Sequence, residues 1–208
     1  MLQANCLKIF LFVVCVAGLT ISASADPVAG FAGLAGRPLA AGDLLDVGTG
    51  NGAGERRWPD GAVSSGIVSG GAPVELAVVA GPHLERLPSG FGDEMVGRTW
   101  TLSPRCDRAG LRLEGEPLDT GEIDLVSLPM LPGAVQVPPN GLPIVLMPDA
   151  PTVGGYPVPA VVAEADRPRT GQLRPGDTIR FDWIDLAEGR RRAREQVERL
   201  AAIAASLA

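Results

Sequence analysis

Ala134-Val135-Gln136-Val137-Pro138-Pro139-Asn140-Gly141-Leu142-Pro143-Ile144-Val145-Leu146-Met147 reads as a strand, a tight turn and a second strand. Asn140-Gly141 is a strong turn signal, because both residues tolerate the left-handed backbone that a short hairpin demands. Gln136 points to one face of its strand, where its amide either holds a polar ligand or meets water at a sheet edge. Working outward, Leu111-Arg112-Leu113-Glu114 alternates apolar and polar, the period-two pattern of a strand with one wet face. Residues 74–79, 98–102, 123–127, 158–163 and 178–184 read as further strands, and 37–47 as a polar turn running into another. Pro or Gly turns separate most of them. About nine short strands at this spacing indicate an all-β domain, an antiparallel barrel or sandwich.

The pattern changes after Trp183. Residues 185–208 are rich in Ala, Arg, Glu and Leu, and Ala193, Val197, Leu200, Ala204 and Leu207 fall three and four apart. This spacing predicts a C-terminal helix with one apolar stripe. Its Arg190, Arg191, Arg192 and Arg194 read first as a solvated face. Residues 48–73 are Gly- and Ser-rich without apolar periodicity, and read as a long loop.

Composition excludes several chemistries. The chain has 208 residues, enough for one domain with a real core, and a net charge of −6. An acidic chain gains little from counterion release, so nucleic acid is not expected as a partner. Lys8 is the sole lysine. The body therefore has no P-loop lysine, no Schiff-base lysine and no lysine to carry biotin. His83 is the sole histidine, and of the three cysteines only Cys106 lies beyond the leader, so no metal site is expected. The run Gly48-Thr49-Gly50-Asn51-Gly52 lacks the Gly-Lys-Ser/Thr ending of a phosphate loop.

Residues 1–21 form an apolar leader. Ile9–Ile21 resembles the core of a secretory signal, and Ala23 and Ala25 offer small residues for cleavage. The run is too short for a good transmembrane helix, and no membrane partner is expected. The competing reading is a shortened start in which the run stands for a buried strand. A cytoplasmic protein follows from that reading, a secreted one from the signal reading.

Three segments carry candidate chemistry. Ser103-Pro104-Arg105-Cys106-Asp107-Arg108-Ala109-Gly110-Leu111-Arg112 sets three guanidiniums close together in an acidic chain. Arg105, Arg108 and Arg112 are candidates for carboxylate or phosphate binding, and a turn with local ion pairs is the equal alternative. In the second segment, Asp149 and Thr152 supply an acceptor and a hydroxyl, Gly154 and Gly155 allow close approach, and Tyr156 is the sole tyrosine. A hairpin loop is the simpler alternative there. In the third, His83 follows Gly81-Pro82 at a strand end and is the one imidazole available as a general base.

In order, Gly36–Leu45 (GRPLxxGDxL), Gly81-Pro82-His83, Ser103–Gly115 (SPxxDRxGxRLEG), Pro132–Asp149, Thr152-Val153-Gly154-Gly155-Tyr156-Pro157, Gln172–Asp177 and Phe181 resemble one family. It is the family of allophanate hydrolase subunit 2 and the 5-oxoprolinase C subunit, the KipA-like biotin-dependent carboxyltransferases. The likeness covers residues 22–184. It implies a cyclophilin-like β-barrel and membership of an ATP-dependent complex acting on a small amide that bears a carboxylate. It implies ATP at the level of the complex. It also implies two partners, a KipI-like or allophanate hydrolase subunit 1-like protein and a LamB/YcsF-like protein, the 5-oxoprolinase A subunit. Asp107, Asp149, Tyr156 and His83 become catalytic candidates. Arg105, Arg108, Arg112, Gln136, Thr152, Gly154 and Gly155 become substrate-binding candidates. Two departures stand out. The family's upstream QDxGRxG stretch has no counterpart in these residues, and Cys106 stands where the family usually has Ser. A non-catalytic KipA-like regulator is the alternative that the first departure favours.

Overall fold

The structure is a computed structural model that describes residues 41–44 and 71–206. The chain divides into two compact units, Met1–Gly54 and Glu55–Ala208. Of the first, residues 41–44 form a turn and coil. The apolar leader, the Gly-rich loop up to residue 70 and most of the 37–47 stretch lie outside the described residues.

The second unit is built on β1 (Val74–Ala80), β2 (Trp100–Leu102), β3 (Gly110–Glu114), β4 (Leu128–Pro129), β5 (Ala134–Gln136), β6 (Ile144–Leu146), β7 (Val153–Gly154), β8 (Ala160–Val162) and β9 (Thr178–Trp183). Seven of them close into a barrel in the order β1-β8-β5-β6-β3-β2-β9, and β4 pairs with β7 in a separate ribbon. The expected all-β barrel is therefore present. One of its seams is not antiparallel, since β9 returns to β1 in parallel, with Leu76 opposite Phe181. Closure accounts for this. The last strand must satisfy the free edge of the first, whatever its direction.

Alternation decides what fills the barrel. In β9, Ile179 and Phe181 point inward and are buried, while Arg180 and Asp182 are exposed. β3 follows the same rule with Leu111 and Leu113 inside and Arg112 outside. These side chains join Leu76, Val78, Trp100, Val135, Val145 and Val162 in one core cluster. The Trp100 indole N–H donates to the Met95 carbonyl at 3.1 Å, so the largest buried side chain leaves no polar atom unsatisfied.

A smaller cluster lies outside the barrel. The β4–β7 ribbon lays Leu128 and Met130 over Ala134, Ile144, Leu146, Val158 and Val161, on the outer faces of β5, β6 and β8. Residues 123–127, expected as a strand, are not one, and pairing begins only at Leu128. The partner β7 is two residues long, so no ladder is available to extend the strand back to Ile123.

Helix α1 (Phe91–Gly97) packs Phe91 and Met95 into the core. The short α2 (Arg167–Thr170) follows a single 3-10 turn at Glu164–Asp166, whose Asp166 carboxylate accepts the Ala77 backbone N–H at 2.8 Å. Helix α3 (Leu186–Ser206) occupies the stretch where the apolar periodicity predicted it, but none of its residues is buried. Val197 and Leu200 on its stripe are 65% and 55% exposed. Among the described residues, no helix is long and apolar enough to cross a membrane.

Candidate functional site

The loop from Ser103 to Gly110 is folded by its own polar groups. A turn closes from the Cys106 N–H to the Ser103 carbonyl at 3.1 Å, and the Arg105 N–H donates to the Ser103 hydroxyl at 3.3 Å. Asp107 then accepts the N–H groups of Ala109 and Gly110, each at 2.9 Å. This is the local side-chain-to-backbone bonding that Asp favours in turns. The Arg112 carbonyl accepts from the Ser103 N–H at 2.9 Å and from the Cys106 thiol at 3.4 Å. The loop is thereby folded back along β3. Burial pushes the Cys106 thiol up, which keeps it a neutral donor. Gly110 is required at the joint, because a Cβ there would stand 2.8 Å from Ile144 Cγ2.

Folding the loop onto β3 brings Arg105 and Arg112 to one cleft of about 80 Å³, lined also by Leu113, Asn140, Leu142, Pro143 and Ile144. Asn140 was legible in the sequence only as a turn residue. Its Oδ1 accepts the Leu142 N–H at 3.2 Å, and Gly141 takes the left-handed conformation at φ +72. Neither Arg105 nor Arg112 makes an ion pair among the described residues.

Arg108 behaves differently. Its Nε lies 2.7 Å from an Asp149 carboxylate oxygen, with both side chains largely in water. The backbone supports the pair, since the Asp149 N–H donates to the Arg108 carbonyl at 3.2 Å. Two expected site residues are thus joined to each other across the fold, whereas the local ion pairs read from this segment do not form among the described residues, Asp107 being taken up by backbone N–H groups instead.

Gln136 is 7% exposed and lies beneath the β4–β7 ribbon. Its amide N–H donates to the Met130 thioether at 3.4 Å. A Cβ on Gly154 would stand 2.5 Å from that amide nitrogen, so a larger residue there would have to move the Gln136 amide. Thr152 is exposed, and its carbonyl accepts the Met130 N–H at 2.8 Å. Gly155 and Tyr156 continue the exposed loop. Gln136 and Gly154 meet, while Thr152 and Tyr156 present their side chains to solvent.

His83 is 5% exposed, and its Nδ1 accepts the Val158 N–H at 3.0 Å. Burial and the neighbouring Arg86 hold its pKa below the ordinary imidazole value, so it stays neutral with its proton on Nε2. In this position it ties the start of the Leu84–Arg86 turn to the end of the loop before β8. It does not line the arginine cleft. A second, open groove of about 320 Å³ runs between Leu84, Phe91 and Trp183 with Glu85 and Asp93 at its rim, and none of the expected residues reaches it.

Comparison with known proteins agrees with this architecture. Residues 14–183 match the family described as carboxyltransferase domain, subdomain A and B. The chain is 35% identical over 176 residues to the 5-oxoprolinase C subunit of Escherichia coli (strain K12), covering 84% of this chain and 54% of that protein. It is 36% identical over 176 residues to the 5-oxoprolinase C subunit of Haemophilus influenzae, covering 80% of this chain and 52% of the relative. It thus spans about half the length of the curated relatives it matches. Among solved structures, Kluyveromyces lactis urea amidolyase superposes with a TM-score of 0.59 at 24% identity, over 65% of this chain and 9% of that one. Kluyveromyces lactis urea carboxylase gives the same TM-score of 0.59 over 13% of its chain. At that identity these two speak for the fold. The family match and the two bacterial relatives together show that this chain belongs to the carboxyltransferase domain family, subdomain A and B.

Proposed function

We propose that the chain is one component of a 5-oxoprolinase-like or allophanate-hydrolase-like complex that uses ATP to act on a small amide bearing a carboxylate. The observation that carries the reading is the cleft that brings together Arg105 and Arg112, neither ion-paired among the described residues, on a chain of net charge −6. Guanidinium forks match the geometry of a carboxylate, and an acidic protein keeps unpaired ones where an anion must be held. The two bacterial relatives, each a 5-oxoprolinase C subunit, support the choice of complex.

In this reading, Arg108, oriented by Asp149, faces the substrate. The Gln136 amide and the Gly154-Gly155 backbone orient the amide group, and Thr152 and Tyr156 complete the exposed rim. His83 and Asp107 act by positioning, because their acceptor atoms already hold backbone N–H groups. ATP is too large for the arginine cleft. The cleft is about 80 Å³, and no described residue is a lysine. The KipI-like and LamB/YcsF-like partners supply the nucleotide site, and an ATP-consuming assembly of this kind belongs in the cytoplasm.

The test is reconstitution of the chain with those two partners, following phosphate release that depends on both ATP and 5-oxoproline. Release above the level of the partners alone is the expected result. A second reading, a non-catalytic partner-binding protein, is favoured by the catalytic candidates His83 and Asp107 both having an acceptor atom taken up by backbone N–H groups. Stable association without any turnover would select it.

A further inference from the structure

We infer that the cleft between Arg105 and Arg112 is an anchor for one carboxylate-sized anion, with Asn140 as its third donor. The inference rests on the proposed substrate class and deepens it. Three features of the cleft carry it.

The polar groups at the cleft offer donors. Two guanidiniums lack an ion-pair partner among the described residues. The Asn140 Oδ1 is occupied by the Leu142 N–H, which leaves the side-chain NH₂ as the free end of that amide. Glu114 follows Arg112 on the same wet face of β3 but forms no ion pair with it.

The cleft is also held in shape. The Ser103 N–H and the Cys106 thiol both grip the Arg112 carbonyl, so the Arg105 turn cannot drift from the Arg112 strand. The Asn140-Gly141 turn is fixed from behind, where the Leu118 N–H donates to the Gly141 carbonyl at 2.9 Å. Leu113, Leu142, Pro143 and Ile144 form apolar walls. Such walls strengthen a charge-assisted hydrogen bond by lowering the local dielectric.

Size then separates the ligands. A volume of about 80 Å³ holds two or three waters at roughly 30 Å³ each. That suits a single carboxylate. Pockets that enclose a whole cofactor or drug-sized ligand run to about 300–1,000 Å³. The carboxylate enters the cleft and the amide end of the substrate remains at its mouth.

Isothermal titration of the full chain with 5-oxoproline, its neutral carboxamide analogue, inorganic phosphate and ATP tests this. 5-Oxoproline should bind, and the neutral analogue should bind about tenfold more weakly or worse, as expected for loss of a charge-assisted pair. Arg105→Gln and Arg112→Gln should each lower 5-oxoproline affinity by about tenfold with unchanged melting temperature, and Arg180→Ala should change neither. Equal binding of the neutral analogue, or undiminished binding in both Gln variants, overturns the anchor. Phosphate binding without 5-oxoproline binding overturns the carboxylate assignment. ATP binding that is tighter than that of 5-oxoproline and lost in the same variants overturns the size argument. Turnover in the reconstituted complex is read separately. Anion binding without turnover leaves the anchor standing and removes the proposed function. Turnover with an unchanged KM for 5-oxoproline in the Gln variants does the reverse.

Discussion

On α3, Arg191 and Arg192 are bound by carboxylates one helical turn away: each reaches Glu188 at 2.7 Å, and Arg191 also pairs with Glu195. Around β3, among the described residues, Arg105 and Arg112 have no such partner, and Arg108 finds one in Asp149, far along the chain. The two arginine-rich stretches differ in what surrounds them. A helix can place a carboxylate beside a guanidinium when Glu stands three or four residues away, as at Arg191 and Arg192, although Arg194 and Glu198 at the same spacing do not pair. A strand and its preceding turn do not, so their arginines stay open to whatever the fold brings across from other strands. A charge run on a helix is thus neutralised locally wherever its acids pair, as Glu188 and Glu195 do here. The same residue type on a barrel rim is available for a ligand.

The largest expected effect tests the rigidity of the rim. Gly141→Val places a side chain at φ +72, with its Cβ 2.4 Å from the Leu118 carbonyl oxygen. It should cost about 3 kcal/mol or more, from backbone strain plus displaced neighbours. Urea denaturation reads the cost, and anion binding should fall with it. An unchanged midpoint would mean that the turn is not a fixed wall.

Asp107 comes next. Asp107→Ala removes two turn-closing hydrogen bonds and should destabilise the unit by about 1–3 kcal/mol. Asp107→Asn keeps an acceptor oxygen and should lose much less. If Asp107→Asn folds normally yet abolishes turnover in the complex, the carboxylate has a chemical role beyond holding the loop.

Arg108→Ala should change stability by less than about 1 kcal/mol, since its pair with Asp149 is exposed. Turnover of the complex should nevertheless fall. Unchanged turnover would remove Arg108 from the binding face and leave its ion pair as decoration.

The smallest effect belongs to α3. The Arg191 and Arg192 guanidiniums hold the Glu188 carboxyl down from its ordinary 4.5 to about 2. A depressed carboxylate adds helix stability that is fully present above about 4.5 and is lost as pH falls toward 2. Helical circular dichroism should show a slight loss over that window, weakened by added salt because the pair is in water. Glu188→Gln should abolish the pH dependence. Persistence of the step in that variant would assign it to another acid.

The alternation of apolar and polar residues determined much of this protein from sequence alone. It marked β3 and β9 and the wet side of Arg112, because burial selects one face of a strand whatever the strand pairs with, while β1 was legible instead as a short apolar run. The α3 periodicity and its Glu188–Arg192 spacing were equally legible, being local. Residues 123–127 and α1 were not. The first is an apolar run with no neighbouring strand to pair it, and the second is seven residues long with two glycines, too short and too weak in propensity to announce itself. Of the site, the sequence named the arginines and Gln136. Only the tertiary structure decided that Arg108 would be joined to Asp149, that His83 would hold the Val158 backbone, and that Asn140 would stand beside Arg105 and Arg112. Those outcomes depend on which strands close the barrel and on how the Ser103 turn folds back on β3. Long-range closure of that kind leaves no local period in the chain from which it could be read.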